Sequence, residues 1–321
     1  MTGLPDRRRR RGAILAAVGI VIALAGLGFV GRTLVTNWPE TRRLLGDAEV
    51  VWVVAAFPLG LAAMTTIGLA WRRAIRLVGA DAGRRETLSW YFPGQLGKYV
   101  PGGLWPVVGR SELGVRDGLP RAAAYSSVGL SLATTYLAAV LTGLVLLPFA
   151  VVDLTGGTRP VWVMALLPLG LVALHPAVLQ RLVQVGERVL GRAIEVRVPP
   201  YRDVVVLVVA HVPAWLLVGI ATWFVARAFD ASAPLTGVLF ATSLSWVAGF
   251  VVIGVPGGIG VREAMFASVL GASVTAGVAA STALTARLLF VLVDVTGAVT
   301  VTALRRRRTR TTATVTASTE D

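Results

Sequence analysis

The sequence predicts an all-α polytopic integral membrane protein, and three observations carry that prediction. Of its 321 residues 55% are hydrophobic and only 15% charged, where a soluble domain carries about 25% charged residues. Mean hydropathy is +0.73, more apolar surface than a soluble core can hide. The apolar residues are gathered into charge-free runs of about 20 residues or more, the length of helix that crosses a bilayer core. A formal charge of +14 would point to a polyanionic partner in a soluble chain. Combined with this hydropathy it excludes a disordered basic protein and an ordinary cytosolic enzyme. The chain has no cysteine, so disulfides, thiolate catalysis and cysteine metal sites are excluded as well.

In chain order the runs are residues 12–31, 50–71, 122–152, 160–180, 204–226, 231–261 and 264–286, followed by 288–304, which only Asp294 interrupts. The first is too long for a signal peptide and lacks a small-residue cleavage pattern, so it reads as an uncleaved helix. Runs 122–152 and 231–261 would each span about 46 Å as straight helix. They must tilt, kink or break, and Pro148 and Pro256 are the expected places.

Residues 90–110, WYFPGQLGKYVPGGLWPVVGR, are apolar and aromatic but hold three prolines and five glycines. One regular spanning helix is excluded. The segment reads as re-entrant or interfacial, since broken backbone at membrane depth is tolerated where protein or a cavity satisfies it. The expected count is six to eight transmembrane helices with two broken or re-entrant segments. The expected organisation is a basic N-terminus over 1–11, one membrane domain over 12–304 and a basic, disordered tail over 305–321.

Orientation follows from the basic residues. Arg7–Arg11, the group Arg72 to Arg85, the group Arg110 to Arg121, the group Arg181 to Arg202 and Arg305–Arg308 all fall in alternate loops. The intervening loops hold few. This asymmetry puts both termini in the cytoplasm of a plasma-membrane protein, with an even number of crossings. Most of the net charge is therefore orientation. The basic residues flank spans rather than forming a soluble, aromatic-interleaved surface, which argues against nucleic acid as a partner.

One feature inside the membrane region points to chemistry. Val100-Pro101-Gly102-Gly103-Leu104 recurs 155 residues later as Val255-Pro256-Gly257-Gly258-Ile259. Each copy is followed by arginine and glutamate: Arg110 and Glu112 in the first, Arg262 and Glu263 in the second. Paired Gly/Pro-interrupted segments in the two halves of a chain point to a transport site near mid-bilayer and to an inverted repeat. Proline ends a helix, glycines permit a tight turn, and a helix restarting there offers free N–H groups to an anion.

Lys98, Arg110 and Arg262 lie close by in sequence, and Lys98 is the only lysine in the chain. Trp90, Tyr91, Tyr99 and Trp105 line the route or hold an interface. Arg287 and Asp294, seven residues apart, share one helical face. They serve as a structural pair, as snorkelling groups, or as a proton-coupling carboxylate and a counter-ion. Such charges need a polar interior, because one at the bilayer centre costs about 2.5–3.5 kcal/mol. His175 and His211 read as interfacial residues rather than metal ligands. No cofactor or metal site is expected.

On these residues the chain resembles the lysylphosphatidylglycerol synthase transmembrane region, also called the flippase-like domain family, over roughly residues 12–304. The motif positions matched are Gly97, Lys98, Tyr99, Pro101, Gly102 and Gly103, then Pro256, Gly257, Gly258, Gly260 and Glu263. In the best-known members this region is fused to a soluble domain that aminoacylates phosphatidylglycerol, and it moves the modified lipid to the outer leaflet. The resemblance implies a stand-alone member without that soluble domain.

Its expected function is lipid translocation, not enzymatic catalysis. The cargo is an anionic phospholipid or a polyprenyl-phosphate-linked lipid. The headgroup phosphate would lie between the two Pro-Gly-Gly turns, on Lys98, Arg110 and backbone N–H groups. Two alternatives stand beside it. One is an accessory subunit of a lipid-modifying or glycosyltransferase system. The other is a polyprenyl-dependent glycosyltransferase with Asp47 and Glu49 as metal-holding acids.

Overall fold

The computed structural model describes residues 38–99, 105–155, 199–252 and 256–318, with isolated positions at 28, 31–32, 35–36 and 181. The expected spans at 12–31 and 160–180, and with them His175, lie outside the described residues, as do Pro101, Gly102 and Gly103. Every described element is helical. In chain order they are α1 (Trp38–Asp47), α2 (Val50–Leu77), α3 (Arg84–Gln95), a 3-10 turn (Leu96–Tyr99), α4 (Trp105–Arg116), α5 (Arg121–Thr155), α6 (Tyr201–Phe229), α7 (Leu235–Val251), a second 3-10 turn (Pro256–Gly258), α8 (Val261–Leu270) and α9 (Ala276–Ser318).

Four of these helices, α2, α5, α6 and α9, are long and apolar enough to cross a bilayer. Together with the shorter apolar helix α7 they make this a polytopic membrane protein. α5 continues through Pro148 for 35 residues, so of the two places expected to tilt, kink or break, Pro256 is the one that ends a helix. α7 has 17 residues, about 26 Å of helix. After Pro256 the chain turns back along it.

Two sequence boundaries move. The run 264–286 is divided at Gly271–Thr275, and its second half joins 288–304 in one helix, α9. Arg287 separates the two apolar runs, and arginine is costly in lipid. It lies within a helix because protein groups meet it, as described below. The C-terminal correction is similar. α9 continues through Ser318, where a disordered tail was expected after residue 304. The sequence past Leu304 holds no glycine or proline to stop the helix.

The two ends of the bundle are recognisable from their contacts. At one, Asp117 in the α4–α5 turn accepts hydrogen bonds from Trp90 Nε1 at 2.5 Å and from an Arg305 guanidinium nitrogen at 2.6 Å. At the other, the Glu49 amide donates to the Ala228 carbonyl at 3.0 Å, and Thr236 donates to Asp153. The chain enters α3 and leaves α4 at the Asp117 end. It enters α7 and leaves α8 at the Asp153 end.

α2, α5 and α6 form the centre, with Trp71 and Trp215 fully buried. Each indole N–H is satisfied, Trp71 by Ser127 Oγ at 3.1 Å and Trp215 by the Thr135 carbonyl at 2.7 Å, as buried aromatic polar tips require. α9 shows both environments on one helix. Phe290, Val293, Asp294 and Ala298 are buried, whereas Leu288, Leu292, Val295 and Val299 are exposed at helical spacing. An outward apolar row of that kind suits lipid. On the inward side Gly297 lets Phe92 of α3 lie directly on the α9 backbone; a methyl at Gly297 would overlap the ring.

Candidate functional site

α3 and α4 form an antiparallel hairpin, and its closeness rests on glycine. A methyl at Gly109 would lie 3.4 Å from Gly94 Cα, and one at Gly97 would lie 2.8 Å from the Trp105 carbonyl carbon. α7 and α8 form a second hairpin whose turn uses the left-handed region: Gly257 has φ +56°, Gly258 +69° and Gly260 +82°. Any side chain at these positions would be strained. At the start of α8 the Gly260 amide donates to Glu263 Oε2 at 2.6 Å, so the glutamate caps its own helix.

The two hairpin ends meet. A methyl at Gly257 would lie 3.0 Å from the Lys98 carbonyl oxygen and 3.0 Å from an Arg287 guanidinium nitrogen. Around this meeting point the charged side chains sort between the hairpins, and α9 serves both. Asp294 Oδ2 is 2.5 Å from Lys98 Nζ and accepts a hydrogen bond from the Tyr99 hydroxyl at 2.6 Å. One turn pair earlier on the same face, Arg287 donates to the Gly257 carbonyl at 2.9 Å and lies 3.7 Å from Glu263 Oε1. Arg287 and Asp294 thus share a face as expected, but each binds a different hairpin instead of the other.

Arg262 has a different environment. Its guanidinium stacks on Trp246 at 4.0 Å from the ring centroid. Its aliphatic part crosses Gly249, where a methyl would lie 2.5 Å from Arg262 Cγ. Its Nε is buried with no hydrogen-bond partner, and among the described residues no carboxylate pairs with it. It lines a small cavity of about 40 Å³ together with Lys98, Tyr99, Arg287, Glu263, Thr242 and Ser245. That volume holds about three waters. Lys98, Arg262 and Arg287 at this cluster face two carboxylates, Asp294 and Glu263. Among the described residues a buried positive charge is left without an anion.

The remaining site candidates separate from this cluster. Arg110, 4% exposed, donates to Gln95 Oε1 and stacks on Tyr91 at 4.6 Å. It does not line the cavity. Glu112 faces away, accepting from Arg121 at 2.5 Å and Tyr125 at 2.6 Å, and ties α4 to α5. Trp105 is 51% exposed. Trp90 is drawn to Asp117 at the end of the bundle. His211, expected at an interface, is fully buried within α6, with Nδ1 2.8 Å from the Leu207 carbonyl. That local bond satisfies one ring nitrogen and lets the side chain pack inside. Asp47 is exposed, and Glu49 is occupied by Trp52 Nε1 at 3.0 Å.

Sequence reasoning missed Gln95, Trp246, Thr242 and Ser245. A signal for part of this set existed. Thr87, Tyr91 and Gly94 precede the first Pro-Gly-Gly at the same intervals as Thr242, Trp246 and Gly249 precede the second.

Comparison with curated proteins finds no significant match to this chain. The family profile described as the lysylphosphatidylglycerol synthase TM region matches residues 14–298. That match takes in all four long helices up to Ala298 of α9, both hairpins, and the Lys98–Asp294 and Arg262 groups. The chain therefore belongs to the lysylphosphatidylglycerol synthase TM region family.

Proposed function

We propose that this protein is a lipid translocase of the plasma membrane that moves an anionic phospholipid or a polyprenyl-phosphate-linked lipid between leaflets. The carrying observation is Arg262, a guanidinium held inside the membrane region with no carboxylate partner among the described residues and facing a cavity it shares with Lys98 and Arg287. Burying an uncompensated charge is costly, and a phosphate oxyanion delivered to the cavity would remove that cost. Guanidinium suits the task because its forked N–H groups match phosphate geometry.

The two hairpins are re-entrant segments in this reading, entering from opposite faces and meeting at mid-bilayer as the halves of an inverted repeat. Their contacts with opposite ends of the bundle and the closeness of Gly257 to Lys98 support it. The Asp117 end, which gathers Arg72, Arg121 and Arg305, is the cytoplasmic face, with both termini on that side. The present cavity is too small for a headgroup, so this is a closed arrangement. Transport requires the hairpins to part while the acyl or prenyl tails stay in lipid.

The test is reconstitution into phosphatidylcholine vesicles carrying headgroup-labelled phosphatidylglycerol, in parallel with a labelled polyprenyl-phosphate lipid. Flip-flop is followed with a membrane-impermeant quencher. Acceleration over protein-free vesicles is expected for at least one lipid, falling ten-fold or more in Arg262→Gln and Lys98→Ala. No acceleration for either lipid class overturns the function. Wild-type rates in both variants overturn the site.

A further inference from the structure

Arg110 and Arg262 are treated alike by the fold, although they differ in sequence register. Each comes from the second limb of its hairpin and lies across a bare glycine of the first limb. A methyl at Gly94 would overlap Arg110 Cγ, as one at Gly249 would overlap Arg262 Cγ. Each guanidinium stacks on the aromatic residue three positions before that glycine, Tyr91 at 4.6 Å and Trp246 at 4.0 Å. Each has a buried Nε with no hydrogen-bond partner, and among the described residues neither is paired with a carboxylate. Structural arginines in a membrane interior are ordinarily neutralised. Here both hairpins leave one arginine without an acid.

The difference between them is a single side chain. Arg110 is held by the Gln95 amide oxygen, while Gln95 in turn donates to the Tyr91 hydroxyl at 2.6 Å. The residue standing after Gly249, where Gln95 stands after Gly94, is Phe250, which turns away to stack on Tyr136 at 3.7 Å. It offers Arg262 no acceptor. The two arginines also belong to different hairpins. Arg110 is five residues into α4, about 8 Å from the start of that helix towards the Asp117 end. Arg262 belongs to the hairpin entered from the other end.

We propose that Arg110 is a second oxyanion station equivalent to Arg262, closed in this conformation by Gln95, and that the phosphate passes between the two stations across Lys98. The ligand chemistry is a phosphate ester or free phosphate, received by a guanidinium whose apolar face is covered by an aromatic ring. The inference rests on the translocase reading. Lys98 is the intermediate contact, released from Asp294 as the anion arrives. Gln95 is a neutral stopper that gives way without leaving a charge behind.

The experiment is native mass spectrometry of the detergent-solubilised full chain titrated with dioleoylphosphatidylglycerol. A second arm uses inorganic phosphate. The flip-flop assay is run on the same variants. The wild type is expected to bind one lipid tightly. Arg262→Gln weakens that binding ten-fold or more. Arg110→Gln leaves it within two-fold but slows flip-flop at least ten-fold, a split that a merely structural arginine would not produce. Gln95→Leu, which keeps Arg110 in place, raises the tight stoichiometry from one to two.

Loss of binding and transport together in Arg110→Gln, or wild-type values of both, overturns the proposal. If that variant does not fold, a stoichiometry of one in Gln95→Leu overturns it instead. Saturation by inorganic phosphate at both stations would identify free phosphate, not the lipid headgroup, as the ligand and overturn the lipid relay. A wild type that binds lipid but never accelerates flip-flop sinks the translocase reading while leaving the two-station count intact, so the two failures are distinguishable.

Discussion

Replacing Asp294 by asparagine removes the carboxylate that joins α9 to the first hairpin, and the structure gives the size of the effect. Lys98 Nζ and Asp294 Oδ2 are 2.5 Å apart, with side-chain exposures of 12% and 0%. At an effective permittivity of about 20 the gross attraction at that separation is about 6–7 kcal/mol, much of it spent on desolvation. Removing one partner of a buried pair leaves the other uncompensated and costs about 3–5 kcal/mol.

Asp294→Asn should therefore destabilise by about that amount, since it removes the carboxylate beside Lys98 and leaves that side chain facing Arg262 and Arg287. Lys98→Met should cost less, because the Tyr99 hydroxyl still bonds to the Asp294 carboxylate. The double variant should be more stable than Asp294→Asn alone, with a coupling energy of at least about 2 kcal/mol. The assay is reversible unfolding in mixed micelles followed by tryptophan fluorescence. Additivity of the two substitutions to within about 0.5 kcal/mol would refute the reasoning, for it would mean that the pair does not link α9 to the hairpin.

Three further outcomes follow from the same geometry. Gly297→Val should destabilise by about 1–3 kcal/mol through overpacking against Phe92, and Phe92→Ala in the same chain should recover part of the loss; equal or greater loss in the double variant contradicts the contact. Glu263→Gln should weaken the α8 start and release Arg287, costing about 1–3 kcal/mol in all and exposing an engineered cysteine at Ile259 to aqueous thiol reagents; an unchanged labelling rate contradicts it. The third concerns pH. Burial pushes the Asp117 carboxyl up, but hydrogen bonds from Arg305 and Trp90, with the Arg305 charge, outweigh it and hold the group below the usual carboxylate range. Its contribution is thus present above about pH 4, the unfolded value, and is lost as pH falls through the lower folded value. Asp117→Asn should flatten the acid limb of a stability–pH profile, and an identical limb in both proteins counts against the clasp.

The membrane character of this chain was legible from composition, and so was the interruption at Pro256. A charge-free run long enough to span is a local property, and a Pro-Gly-Gly sequence disrupts a helix wherever it occurs. Three of the four long helices, α2, α5 and α6, therefore fall on expected runs. Arg287 shows the limit of that reasoning. The apolar runs on either side of it were read separately because it is charged, yet it sits within α9, where the Gly257 carbonyl and Glu263 receive it from another part of the chain. Pro148, an expected place for a tilt, kink or break, lies inside α5 without ending it.

The candidate site divides in the same way. Lys98, Arg262, Glu263, Arg287 and Asp294 were all nameable from sequence, as rare charges in apolar surroundings. Which of them pair was not, because the answer depends on contacts between segments as far as 195 residues apart. Arg110 and Glu112 read as the counterparts of Arg262 and Glu263. Packing kept the arginines in matching environments and sent Glu112 to Arg121 instead. The sequence by itself determined that charges would be scarce and buried, since each residue's polarity and each run's length are fixed by the chain. Only the tertiary structure decided which charge would lack a partner, because compensation is a matter of distance, and distance is set by how α9 packs against the two hairpins.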